Sequence, residues 1–179
     1  MRITKLDAAE RQIITAVKLF FDGGDRISTY ALGAAAREVT TTLCQRRGIT
    51  SFLDDVQQEF PELSSKELLR LASRHAAFFK HADRDPDAVL TDFSEEEVES
   101  VLFTAAHDFG RLCGGKPVEA QVFEAWYLAL HLVDTLPDRL AEIFPDIKSV
   151  PRDQQVELGR KCLVWAATQA EFKMHYSTD

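Results

Sequence analysis

Apolar side chains recur three and four residues apart along nearly the whole chain, and strand-length alternation is absent. Ile13, Val17 and Phe20, supported by Ile14 and Phe21, predict a first helix from Ala8 to Asp22, with Asp7 as N-cap and Glu10 three residues on. Gly23-Gly24-Asp25 ends it, because glycine enters the left-handed conformation at low cost. Ser28 is expected to cap a second helix reaching Arg47 and stopped by Gly48, with Ala31, Leu32, Ala35, Val39 and Leu43 on its buried face. The run Ala34-Ala35-Ala36 lets a neighbour approach closely and favours an antiparallel helix pair, while Thr40-Thr41-Thr42 is poor helix material and predicts a bend.

A short helix over Phe52–Phe60 ends before Pro61. Ser64 with Glu67 forms a start signal for a central helix running to His81, and Pro86 forces Asp85 out of helical geometry. Ser94 with Glu97 opens a fifth helix, closed after Cys113 by Gly114-Gly115, with acids in its first turn that suit the positive end of the dipole. Pro117 fits the first turn of a sixth, carrying Phe123, Trp126, Tyr127, Leu130 and Val133 and ending before Pro137. A short piece reaches Phe144, and a last helix spans Asp153–Tyr176 with Val156, Cys162, Leu163, Ala166, Ala170 and Phe172. The expected fold is all-α, a bundle of about seven helices with short loops, in one domain over 1–179.

Composition narrows the class. With 179 residues, 45% hydrophobic and 28% charged, the chain suits a globular domain with a sizeable core that includes twelve Phe. Its apolar runs are too short for a membrane span, and MRITKLDAAERQ has no apolar secretory core. Three widely spaced cysteines without a CxxC pair predict reduced thiols in a cytoplasmic protein and no zinc site. The net charge of −8 is concentrated: eight acids against Arg84 lie between Asp83 and Glu99, and the remainder is nearly neutral. That distribution excludes the broad basic surface of a sequence-independent nucleic-acid binder, so a polyanion would have to be held locally.

The densest chemistry lies in KELLRLASRHAAFFKHADRDPDAVLTDF, Lys66–Phe93. Helical geometry puts Leu68, Ala72, His75 and Phe79 on one stripe and Lys66, Arg70, Arg74 and His81 on a second, with Arg74 and His81 roughly 10 Å apart along the axis. His75 therefore reads as a core histidine with one hydrogen bond, and the basic stripe as a face paired with the acidic loop downstream.

Arg74-His75-Ala76-Ala77-Phe78-Phe79-Lys80-His81 has the form R-x6-H with a polar residue after the arginine, and Arg70 to His75 satisfies R-x4-H. This resembles the signature of HEPN domains, and the resemblance implies that residues 1–82 supply the preceding helices of such a bundle. In that family the motif lies on a late helix, whereas about three more are expected here over 94–176. The resemblance implies an all-helical, often dimeric protein that cleaves RNA without metal. His81 would take the ribose 2′-hydroxyl proton, and Arg74 would hold the phosphate and the charge that develops on it. Arg70, His75 and Lys80 are the accompanying ligand-binding candidates. The segment FFKHADRDPDA also resembles an uncharacterised bacterial all-helical family, which implies no activity.

Asp83-x-Asp85-x-Asp87 begins like an EF-hand loop, but Ala88 stands where the glycine belongs and Ser94 where the bidentate Glu belongs. A looser cation site of His81, Asp83 and Asp85 is the remaining metal candidate. His131 with Asp134, and His107 with Asp108 and Arg111, read as structural helix pairs. Gly114-Gly115-Lys116-Pro117 is a helix stop, without a Walker pattern. The expectation is a cofactor-free binding or regulatory module. A homodimer is expected from the surplus of apolar positions on the second and sixth helices, alongside a protein partner. The alternative is a HEPN-like, metal-independent ribonuclease or toxin component that uses Arg74 and His81 and takes RNA as its partner.

Overall fold

The computed structural model describes residues 2–81, 83, 86–131 and 138–176, with side chains over all of these but 138, 139 and 170–176. Among them the chain is an all-α multi-helix bundle without strands: α1 (Lys5–Phe21), α2 (Arg26–Arg47), α3 (Phe52–Glu59), α4 (Ser65–Lys80), α5 (Glu95–Cys113), α6 (Val118–His131), α7 (Asp138–Ile143) and α8 (Arg152–Tyr176). Val133, Asp134 and Pro137 lie outside the described residues, as do Arg84 and Asp85.

Two helices start earlier than the apolar pattern indicates, each with its cap three residues before the expected one. Thr4, not Asp7, caps α1: its hydroxyl accepts from the Asp7 amide at 3.1 Å, and the Asp7 carboxylate accepts from the Thr4 amide at 2.8 Å. Those bonds hold the Asp7 carboxyl below its usual range. Asp25 likewise displaces Ser28 as the cap of α2, accepting from the Ser28 amide at 2.8 Å. Capping boxes open α3 (Ser51/Asp54) and α4 (Ser64/Glu67). Ser94 precedes α5 in an extended conformation, but Glu97 is turned away from the cap and Ser94 makes no side-chain capping bond. Gly48 and Gly114 close α2 and α5 in the left-handed region at φ 67° and 68°.

The face that α2 buries is the main departure from the sequence pattern. Ala31, Leu32, Ala35, Val39 and Leu43 are only half-buried. The sealed face carries Thr29, Tyr30, Gly33, Ala34, Arg37, Thr40, Thr41 and Cys44. Small residues decide this: a Cβ on Gly33 would sit 3.0 Å from Leu102 Cδ2 and 3.1 Å from Val101 Cγ1, so the helix pair is close there. The two helices run parallel, with Arg26 near Glu95 at one end and the Thr41 hydroxyl donating to Asp108 at 2.8 Å at the other. The threonine run lies within a continuous α2, where the Thr40 hydroxyl donates to the Arg37 carbonyl of the preceding turn.

α1 returns on α2 as a hairpin and shares an aromatic cluster with α6, in which Phe20, Phe21, Phe123 and Trp126 meet mostly edge to face at 5.2–5.9 Å. Trp126 is sealed, and its indole N–H donates to the Gln155 carbonyl of α8 at 2.7 Å. α6 runs antiparallel to α5, tied by His107 to Glu124 and by His131 to Glu99, each at 2.8 Å. His131 thus pairs across helices with a fully buried glutamate that also receives Arg152, whose guanidinium stacks 5.0 Å from the Trp126 ring centre. The apolar surplus on α2 and α6 is largely consumed inside the chain, against α1, α5 and α8. No described helix is long and apolar enough to cross a membrane.

Candidate functional site

α4 packs across α2, with Tyr30 packed on His75 and Phe79, and its polar stripe faces the start of α5. Arg74 is clamped from both sides. One guanidinium nitrogen donates to Glu97 Oε1 at 2.8 Å, and another stands 3.1 Å from Asp92 Oδ2. Its pKa is raised, first by the Glu97 bond and then by the nearby carboxylates. His75, 3% exposed, fills the expected core position, with Nδ1 2.6 Å from Glu97 Oε2. Its Nε2 lies 3.6 Å from Asp92 Oδ1 and makes no hydrogen bond. Glu97 therefore serves α4 rather than its own helix start.

Arg74 and His81 line one shallow hollow of about 330 Å³, together with His75, Ala77, Phe78, Leu90 and Asp92. His81 is the residue that ends α4. Its ring is about two-fifths exposed, and its Nδ1 stands 3.9 Å from Asp83, too far for a hydrogen bond. Lys80 turns away to Glu38 on α2, at 3.3 Å. Arg70 is exposed, a turn from Glu67, and does not line the hollow. Of the proposed cation ligands, Asp83 is largely exposed and Asp85 lies outside the described residues. No three potential ligands gather to hold a metal among the described residues.

A second cavity, of about 260 Å³, opens between α2, α3, α4 and α5. Phe52, Leu53, Val56, Leu68, Leu71 and Val101 give it apolar walls, and Arg37, His75, Glu97, Tyr30, Ser100 and Thr104 add polar ones. Arg37 is 5% exposed. One terminal nitrogen donates to the Ser73 hydroxyl at 3.1 Å, its Nε has no partner, and no carboxylate of the described residues forms an ion pair with it. Burial lowers its pKa, with Tyr30, Glu38 and Asp108 opposing from a distance. A guanidinium shut from water without a bonded anion costs several kcal/mol relative to a paired one.

Sequence reasoning missed Arg37 because Ala31, Leu32, Ala35, Val39 and Leu43 suggested a different buried face. The available signal was its place at helical spacing with Tyr30, Gly33, Ala34, Thr41 and Cys44, the only charge in that row.

Asp108 was expected at a helix end beside His107 and Arg111, but it is sealed in the core. It accepts from the Thr41 hydroxyl and, at 2.7 Å, from the Phe52 amide at the start of α3, where an anion complements the dipole. Burial pushes its pKa up, and these two bonds oppose the rise. Burial and the Asp108 charge likewise push the neighbouring Cys44 thiol up to about 11, so it is inert at neutral pH. All three cysteines are free. Arg111 pairs instead with Asp55, at 2.6 Å.

A larger cavity, about 950 Å³, lies where α1, α2, α5 and α8 converge. Its arginines are matched in-chain: Arg26 and Arg152 by Glu95, Arg160 by Glu157. It thus lacks the unsatisfied groups that distinguish the Arg37 cavity. Compared with known protein families, curated proteins and solved structures, the chain matches none.

Proposed function

We propose that the protein is a helical binding module rather than a nuclease. The observation that carries this reading is the Asp92–Arg74–Glu97 clamp. Arg74 already holds two carboxylates where a phosphate would have to sit, and displacing them would cost the α4–α5 junction its main polar tie. Exposed Val164 and Trp165 on α8, 57% and 62% accessible, supply the surface for a second copy of the chain. An aromatic anchor repeated by symmetry suits a two-fold contact.

The HEPN-like ribonuclease remains the second reading, favoured by the shared hollow of Arg74 and His81. In it His81 would be the base and Arg74 the phosphate clamp, once Asp92 and Glu97 had moved aside. Incubation of the purified protein with mixed RNA, with and without EDTA and beside a His81→Ala variant, separates the two. The binding reading expects intact RNA in every arm. Cleavage that persists in EDTA and vanishes in the variant would replace it with the ribonuclease.

A further inference from the structure

We infer that the cavity between α2, α3, α4 and α5 is a binding site for a small monocarboxylate with an apolar chain or ring, held by Arg37. This deepens the binding-module reading and rests on it. The cation sets the sign of the ligand: a nine-tenths-buried guanidinium with a free Nε–H and one neutral partner, Ser73, lacks an anion. A carboxylate seated beside Arg37 in this lining supplies the missing anion, and its hydrogen bond to the guanidinium is charge-assisted.

The walls set the rest. Leu53, Val56, Leu68 and Val101 offer an apolar lining that a hydrated inorganic anion would not fill. Glu97 is part of the same lining, so a second negative charge on the ligand would be repelled, which disfavours phosphate. At about 260 Å³ the space falls just below the range of roughly 300–1,000 Å³ for drug-sized ligands, which fits a short acid. Two residues at the rim, Leu71 and Ser100, are exposed, so the cavity has an entrance.

Calorimetric titration of the full chain at neutral pH with hexanoate, hexanamide and inorganic phosphate tests this. The expected result is one hexanoate site per chain, no binding of the uncharged amide, and no binding of phosphate. Arg37→Gln should weaken hexanoate by about tenfold or more, as expected when one partner of a buried charged bond is lost. Leu71→Trp places a large ring at the exposed rim without touching the core, and should also abolish binding, which keeps the test open if Arg37→Gln fails to fold. Equal binding of hexanamide, a preference for phosphate, no hexanoate heat, or hexanoate affinity unchanged in either folded variant would overturn the site. RNA cleavage as described above would instead overturn the module reading, so the two failures are distinguishable.

Discussion

Asp108 shows how a single side chain can organise a helix it does not belong to. Its two oxygens bond the Thr41 hydroxyl of α2 and the first amide of α3, so one buried carboxylate fixes the relative placement of three elements. Its folded pKa is raised above 3.8 by burial, so the folded state binds the proton more tightly than the unfolded one. The contribution of Asp108 to stability is therefore greatest below the unfolded value and declines as pH rises through 3.8 toward the folded pKa. Asparagine can keep both contacts, accepting from Phe52 and donating to a rotated Thr41 hydroxyl. Asp108→Asn is expected to flatten the decline above pH 3.8 and to stabilise the protein at neutral pH by on the order of 1 kcal/mol, as replacing a buried charge by a neutral group can. Urea unfolding across acidic to neutral pH checks it, and a steeper decline in the variant would contradict the assignment. None of this was legible in the sequence, where Asp108 stands beside His107 in an apparently polar helix end. Burial of a charge depends on partners 56 and 67 residues away.

Helix packing was more legible where periodicity was strong. The stripe Ile13, Val17, Phe20 is the buried face of α1, and Ser64/Glu67 opens α4 as the spacing indicates. α2 was misread because its hydrophobicity is nearly uniform around the axis, so close approach, not apolarity, chose the face. Gly159 of α8 expresses the same rule: a Cβ there would overlap the Phe21 ring, itself 3% exposed and locked among Phe20, Phe123 and Trp126. Although alanine favours helices over glycine, Gly159→Ala is expected to destabilise the protein by about 1–3 kcal/mol through overpacking. Thermal unfolding decides it, since a rise in Tm would mean that α8 does not press on α1 at this point.

At the scale of the whole molecule, the all-α class followed from local spacing alone, because apolar positions recur at helical spacing and α1 to α4 each carry a side-chain cap at their start. The candidate site was half legible. Arg74 and His81 do share a hollow, as two side chains seven residues apart should. The clamp on Arg74 joins residues 18 and 23 positions apart and has no local signature. The apolar surplus first assigned to α2 and α6 is internal, which moves the proposed self-contact to Val164 and Trp165 on α8. Light scattering of the wild-type chain is expected to give the mass of a dimer, and Trp165→Glu that of a monomer with unchanged helicity. A monomeric wild type would remove the self-contact.

Arg37 has a consequence for the lifetime of the protein. If an anion neutralises that guanidinium only in the folded chain, occupancy lowers the fraction of molecules transiently unfolded, in proportion to free acid above its dissociation constant. Proteases that act on opened chains would then clear the empty form faster than the loaded one. The supply of a short acid would in that way set the steady-state abundance of the protein, with no change in its synthesis.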